Sequence, residues 1–294
     1  MTKYKVKPQE KVETMDIKKI YLVYFSPGGN TEKVVKLIGT KLAGELDAEA
    51  YAIDFTSPEM RNAQYSFDED ALVIFGMPTY AGRVPNKLLA FLQDGFKGNA
   101  TKAVAVTTFG NRSFDGSLTE LSLELYKNGF DIFAAASFAC QHHFSKVIGT
   151  ARPDDDDIAE IEKFALSVAQ WLSKSEAKCI EHRNILAESE VKPYYIPLGE
   201  DMQPAKFLKA VPKTVEELCD GCGVCVKACP VASISSDYMT ITGPCIKCQA
   251  CIIKCHSGAK YFDEEAFLSH VRMLENNYTK RAANFALIEK TGEV

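Results

Sequence analysis

The sequence lacks the features of a membrane protein or a nucleic-acid-binding protein. Its longest apolar run, around Phe130 to Cys140, is interrupted by Asp131 and is shorter than the roughly 18 residues of a membrane span. Positive charge is not in excess, since the formal net charge is -5 at pH 7, and there is no basic patch with interleaved aromatic residues. These absences predict a protein with no membrane span and no nucleic-acid partner.

Two further patterns are missing. The chain shows no secretory signal pattern, so we expect a cytoplasmic protein whose cysteines stay reduced. It also shows no dinucleotide-binding fingerprint. The composition, with 46% apolar and 25% charged residues, is not that of a disordered or fibrous chain, and 294 residues are enough for two domains.

What the sequence does have is cysteine in an ordered pattern, because eight of its ten cysteines fall into two runs. In each run two residues separate the first three cysteines and three residues separate the third from the fourth. This spacing binds a [4Fe-4S] cluster, with the fourth cysteine crossing over to the other cluster. The ligands predicted for the first cluster are Cys219, Cys222, Cys225 and Cys255. The ligands predicted for the second cluster are Cys245, Cys248, Cys251 and Cys229.

Zinc and disulfide bonds are the alternatives for these cysteines. A zinc ribbon has two pairs of cysteines with a long gap and no third cysteine two residues further on, and reduced thiols form no disulfide framework. Iron-sulfur clusters are therefore favoured. Residues Pro212 to Phe262 resemble a bacterial two-cluster ferredoxin, except that His256 stands where proline usually follows the last cysteine. Oxygen-labile clusters on so small a domain also suggest an anaerobic or microaerobic cell.

Upstream of the cysteines, short β-branched and aromatic runs alternate with segments of helical period. The strand candidates are Ile20 to Phe25, Ala50 to Phe55, Ala71 to Phe75, Ala103 to Thr107 and Phe130 to Phe138. The helix candidates are Thr31 to Leu46, Asn86 to Gln93, Ser117 to Asn128 and Asp157 to Leu172. Most strand candidates are nearly continuous apolar runs, as expected for strands covered on both faces. The alternation predicts βαβ units and a parallel α/β sheet.

Three loops follow the first, third and fourth of these strands, at the sheet edge where open α/β folds bind ligands. The loop from Ser26 to Thr31 offers hydroxyls and a helix start, which can bind an anion without lysine or arginine. A simple turn capped by Asn30 or Thr31 is the alternative. The other loops are Met77 to Arg83, where Tyr80 could stack on a flat ring, and Thr108 to Asp115.

With these loops, Lys19 to about Lys174 resembles flavodoxin, although Pro27 and Gly28 replace the commoner threonine-rich phosphate loop. The resemblance implies a doubly wound sheet of order 2-1-3-4-5 that binds FMN. It places the phosphate on Ser26, Gly28, Gly29, Asn30 and Thr31. It places the isoalloxazine against Pro78, Thr79, Tyr80, Ala81 and Gly82, with its other side closed by Gly110, Asn111, Phe114 and Asp115.

The order of the modules resembles a fused flavodoxin-ferredoxin family of bacteria and archaea. We expect a polar N-terminal arm at 1–17, a flavodoxin-like domain at 18–185, a linker rich in proline and aromatics at 186–211, a two-cluster ferredoxin-like domain at 212–262, and a C-terminal helix at 263–294. That helix is predicted to run from Asp263 to about Glu289 with an apolar stripe. The stripe should dock on the α/β domain or on a second copy of the chain, giving a homodimer.

The favoured function is an electron-transfer protein that passes electrons between its clusters and FMN, linking a low-potential donor to a partner enzyme. The alternative is a flavin-dependent reductase of a small organic substrate, with His143 and Arg112 as candidate catalytic residues and Arg83 as a second anion-binding group. A redox sensor signalling through the C-terminal helix is a third hypothesis. His142 and His143 are otherwise interpreted as part of a solvated loop, and Cys140 and Cys179 as small hydrophobes.

Overall fold

The computed structural model describes residues 17–173 and 190–288. The strands are β1 (Lys19–Tyr24), β2 (Glu49–Asp54), β3 (Tyr65–Phe67), β4 (Ala71–Pro78), β5 (Phe96–Gly98), β6 (Thr101–Phe109), β7 (Phe130–Ala139), β8 (Lys213–Thr214), β9 (Lys260–Tyr261) and β10 (Phe285–Ile288). The helices are α1 (Asn30–Leu46), α2 (Asn86–Asp94), α3 (Ser117–Lys127), α4 (Asp155–Leu172), α5 (Val224–Ala228), α6 (Ala250–Ile253) and α7 (Glu265–Asn277).

Cys179 and most of the predicted N-terminal arm lie outside the described residues. No helix in the described ranges is long and apolar enough to cross a bilayer.

The main sheet has the order β10-β7-β6-β4-β1-β2. Its five parallel strands, counted alone, have the order 2-1-3-4-5, which is that of the flavodoxin-like doubly wound fold. The predicted fold is therefore confirmed. A sixth strand, β10, pairs antiparallel with the outer edge of β7 and was not expected from the sequence.

Both faces of this sheet are covered, because β4, β6 and β7 are buried over almost their whole length. Helices α1 and α4 cover one face, where Ile38, Leu42 and Phe164 are part of the core. Helices α2 and α3 cover the other face, around a cluster of phenylalanines. Asp154 and Asp157 form a capping box at the start of α4, so the aspartate run caps a helix.

The C-terminal segment differs from the prediction. Helix α7 ends at Asn277 rather than near Glu289, and the chain then crosses the α/β domain to form β10. The predicted long helix is wrong because the backbone after α7 has other partners: the Asn111 amide donates to the carbonyls of Tyr278 and Lys280 at 2.8 and 2.9 Å. The free edge of β7 then pairs with residues 285–288. Residues 289–294 lie outside the described part of the chain.

Helix α7 docks within its own chain. Its Met273 and Leu274 pack with Ile148 of the α/β domain, whereas Phe267 contacts both Phe144 and Phe262, the latter in the cysteine-rich module. The helix therefore lies between the two modules and touches both. Of the two docking sites expected for the apolar stripe, the structure shows the one on the α/β domain.

A buried arginine anchors the returning segment. Arg152 forms two hydrogen bonds to Asp157, at 2.9 and 2.6 Å, and a third to the Ala282 carbonyl at 2.7 Å. Replacing Arg152 with methionine leaves the buried Asp157 carboxylate short of its main partner, so we expect the free energy of unfolding in urea to fall by about 3 kcal/mol. The matched control is Arg272→Ala, because Arg272 forms exposed ion pairs, which we expect to contribute less than about 1 kcal/mol. Equal losses in the two variants would contradict a role for the buried pair.

Candidate cofactor sites

A cavity of about 590 Å³ lies at the carboxyl ends of the parallel strands, between the α/β domain and the cysteine-rich module. We call it the interdomain cavity. Its walls come from the loops after β1, β4, β6 and β7, from the linker, from residues 244–248 and from α7. Ten of the predicted flavin contacts line it, namely Ser26, Gly28, Asn30, Thr31, Pro78, Thr79, Tyr80, Ala81, Gly82 and Gly110. A volume of this size is within the usual range for small-molecule sites.

The remaining predicted contacts do not line the cavity. Gly29 is the N-cap of α1, with a left-handed φ of 91°. Asn111 points to the C-terminal segment, and Phe114 packs between Phe109 and Phe285. Asp115 pairs with Arg112. Asn111 and Phe114 therefore contact the returning C-terminal segment instead of the cavity. Other parts of the chain close this side of the cavity.

The loop after β1 presents the start of α1 to the cavity. The Ser26 hydroxyl accepts the Glu32 N–H at 2.9 Å, and the Thr31 and Thr108 hydroxyls lie 2.8 Å apart. Neither Asn30 nor Thr31 caps the helix, so the simple-turn alternative does not describe this loop. The first N–H groups of a helix have no partner within the helix, and their dipole favours an anion. A phosphate group fits this position.

His143 joins this loop to the cysteine-rich module. The Asn30 amide donates to His143 Nε2 at 3.0 Å, and the His143 ring covers Gly28 so closely that a Cβ there would lie 2.0 Å from its Cε1. Burial lowers the pKa of His143, and a hydrogen bond with the Cys248 backbone opposes that shift. The neutral ring thus bridges the candidate phosphate site and a candidate iron ligand.

The loop after β4 is held rigidly. Tyr80 and Arg83 exchange backbone hydrogen bonds across a tight turn, in which Ala81 and Gly82 both have positive φ values, 49° and 77°. From the linker, Tyr195 donates its N–H to the Ala81 carbonyl at 2.8 Å. The turn therefore fixes the Tyr80 ring in the cavity wall, where its buried hydroxyl has no protein partner.

The side chains suggested for substrate binding are already engaged. Arg112 pairs with Asp115 and lies 3.8 Å from the centre of the Tyr195 ring, and Arg83 pairs with the buried Glu120. Burial lowers the pKa of His142 to about 3, so this side chain is neutral at pH 7. His142 and His143 are half-buried and line the interdomain cavity, so they are not fully solvated, and both arginines already have carboxylate partners.

The two cysteine runs line two small cavities. The first cluster site is bordered by Cys219, Cys222, Cys225 and Cys255. The second cluster site is bordered by Cys229, Cys245, Cys248 and Cys251. Each cavity thus has three cysteines of one run and the fourth cysteine of the other, which is the crossover arrangement of ligands that the spacing predicts.

The chemistry of these thiols suits a metal cluster. Burial raises the pKa of Cys248 and of Cys251 to about 12, so both thiols keep their protons at neutral pH unless a metal ion displaces them. Backbone N–H groups already point at sulfur: those of Ser233 and Lys247 donate to Cys229 at 3.3 Å and to Cys245 at 3.4 Å. Four converging thiols fit a [4Fe-4S] cluster.

His256, which replaces the usual proline, turns toward the first run. Its Nε2 lies 2.8 Å from an Asp220 oxygen, and both side chains are exposed. The contact ties the end of the second run to the residue after Cys219. We find this side chain at the rim of the first cluster site rather than within it.

The interdomain cavity and the second cluster site share a wall. Cys245, Ile246, Lys247 and Cys248 line both. No cysteine of the first cluster site lines the interdomain cavity. The sequence did not predict this shared wall, nor the contributions of Tyr195 and His270, because these depend on how the linker and α7 pack.

Comparison with known proteins gives a specific match for one module. Residues 212–235 match the family described as the 4Fe-4S binding domain. No curated protein matches the chain. The strand order and this match define a flavodoxin-like domain joined to an iron-sulfur module. The chain is thus a fusion of the flavodoxin-ferredoxin type.

Solved structures that are similar to the chain match its N-terminal half. A flavodoxin from the domain Archaea is 15% identical to this chain, with a TM-score of 0.36, and the match covers 53% of this chain and 99% of the flavodoxin. The oxidised flavodoxin 2 from Bacillus cereus is 18% identical, with a TM-score of 0.38, covering 52% and 98%. The apo form of an NADH:FMN oxidoreductase is 19% identical, with a TM-score of 0.39, covering 55% and 93%.

Proposed function

We propose that this chain is an electron-transfer protein that holds FMN in the interdomain cavity and one [4Fe-4S] cluster at each cluster site, and that it links a low-potential donor to a partner enzyme. One observation carries the proposal: Cys245 and Cys248 border both the interdomain cavity and the second cluster site. A flavin and a cluster bound there would be neighbours, with one protein wall between them.

The positions of the sites also suggest an order of transfer. No cysteine of the first cluster site lines the interdomain cavity, and one of them, Cys222, is exposed, whereas none of the four cysteines of the second site is. A partner protein would therefore meet the first cluster, and electrons would pass between it and the flavin through the second. Bound flavin would supply the ability to take two electrons singly, and each cluster would carry one.

The chain's own residues would hold these groups in place. The start of α1 would bind the phosphate, and the rigid turn after β4 would hold the Tyr80 ring against the isoalloxazine. The linker and α7 contribute to the walls of this cavity. Arg61 of the α/β domain also donates a hydrogen bond to the Pro230 carbonyl, next to Cys229, which helps to fix the two modules relative to each other.

Anaerobic reconstitution followed by stopped-flow reduction tests the proposal. We expect one FMN and about eight irons per chain. After mixing with a limiting amount of a one-electron reductant, cluster absorbance should bleach first, and flavin reduction should follow at a rate independent of protein concentration. A flavin rate that rises with protein concentration, or a flavin that stays oxidised, would overturn internal transfer.

A further inference from the structure

Two residues with a buried hydrogen-bond donor that has no protein partner line the second cluster site or the cavity beside it. In the described ranges, five buried side-chain atoms lack a partner. Of these, Gln249 Nε2 belongs to a residue that lines the second cluster site, and Tyr80 Oη belongs to a residue that lines the interdomain cavity. A buried donor without an acceptor is unfavourable, because it has lost its hydrogen bond to water and gained none in return. Gln249 shares its cavity with the four thiols of this site, and Tyr80 shares the interdomain cavity with two of them, Cys245 and Cys248, so an acceptor bound at these sulfur atoms would satisfy both donors.

Gln249 lies between two of the ligands, Cys248 and Cys251. It is 5% exposed and caps the start of α6 with a left-handed φ of 64°. Its carbonyl accepts the N–H groups of Ile252 and Ile253 at 3.0 and 2.9 Å, which fixes its backbone. Gln249 lines the cavity of the second cluster site together with Cys229, Cys245, Cys248 and Cys251.

Tyr80 approaches the same ligands from the α/β domain. Its buried hydroxyl has no protein partner, and burial, followed by the proximity of Cys248 and Cys245, raises the pKa of that hydroxyl. The hydroxyl therefore keeps its proton and can act as a donor at any physiological pH. Its ring lines the interdomain cavity together with both cysteines. The Tyr80 side chain is thus part of the wall of the interdomain cavity and is also a neighbour of the second cluster site.

We propose that Tyr80 and Gln249 are positioning residues that donate hydrogen bonds to sulfur atoms of the second cluster and raise its reduction potential. The inference deepens the proposed function and depends on its assignment of the cofactors. Hydrogen bonds to the sulfurs stabilise the more negative, reduced cluster. A higher reduction potential would favour the reduced state of the second cluster, which is the cluster that would exchange electrons with the flavin.

The test is an EPR-monitored redox titration of the reconstituted full-length protein and its Tyr80→Phe and Gln249→Met variants. Each variant removes one donor and keeps a side chain of similar size. At a fixed solution potential, we expect the ratio of reduced to oxidised second cluster to fall about fivefold in each variant, the worth of one hydrogen bond. The first cluster should titrate as in the unchanged protein.

Tyr195→Phe is the matched control. Tyr195 also lines the interdomain cavity with a buried hydroxyl, but the groups that shift the pKa of this hydroxyl, besides burial, are Arg112, Tyr278, the Leu198 backbone and Asp115 rather than cluster cysteines. We expect this variant to leave the potential of the second cluster unchanged. An equal shift in Tyr195→Phe, or no shift in both Tyr80→Phe and Gln249→Met, would overturn the inference.

Cofactor content separates this inference from the proposed function. Each sample is first assayed for iron and FMN. Protein that binds no FMN, or binds about four irons rather than eight, overturns the cofactor assignment before any titration is made. Protein with full content and unshifted potentials overturns only the roles of Tyr80 and Gln249. Because the two residues lie on different modules, poor folding of one variant leaves the other as a test.

Discussion

Replacing Cys248 with serine is expected to remove about four of eight irons while FMN stays bound, and to disconnect the flavin from the remaining cluster. Cys248 borders the second cluster site and the interdomain cavity, but not the first cluster site. The four cysteines of the first cluster are unchanged in this variant. Transfer from that cluster to the flavin would lose its intermediate carrier, because no other described cysteine run lines the cavity.

Iron analysis and stopped-flow absorbance measure the two effects. In the variant, reductant should still bleach the first cluster, but the concentration-independent phase of flavin reduction should be absent. Cys140→Ala is the control for loss of a buried thiol, because Cys140 lies in the core of the α/β domain, outside both cluster sites. It should retain all its irons. A Cys248→Ser protein with full iron content would refute the ligand assignment.

The sequence was informative about the fold where patterns are local. The apolar runs that became β1, β4, β6 and β7 are long enough to show their burial on both faces, and the loops after them converge because parallel strands end at one edge. Strand β10 was missed. Its four residues follow a helical pattern, and they become a strand only because the distant edge of β7 is free and Asn111 binds the segment that precedes it.

The same contrast holds for the candidate sites. Cysteine spacing predicted which four cysteines line each of the two small cavities, since the crossover is a property of the motif itself. The wall that Cys245 and Cys248 share with the interdomain cavity depends on contacts between modules, such as that of His143 with the Cys248 backbone. Contacts of this kind join residues about a hundred positions apart and leave no periodic signal in the sequence.

Replacing Gly28 with alanine is expected to weaken FMN binding by about 10- to 100-fold, the effect of overpacking a filled site. A Cβ at Gly28 would lie 2.0 Å from Cε1 of His143 and 2.5 Å from its Nε2. The ring cannot move aside at little cost, because Asn30 and the Cys248 backbone hold it. The backbone of Gly28 is not in the left-handed region, so the effect is steric rather than torsional. Fluorescence titration of the apoprotein with FMN measures it.

Two companion variants decide whether His143 transmits this effect. Gly44→Ala, within helix α1, adds a Cβ with nothing within 4 Å and should leave FMN affinity unchanged. Combining Gly28→Ala with His143→Ala removes the clashing ring, so the double variant should bind FMN more tightly than Gly28→Ala alone. If the double variant binds no better, the methyl group acts on the phosphate directly and His143 has no part in the loss. Recovery would show that the histidine forms one wall of the phosphate site, and that the flavin site and the second cluster loop are held together through it.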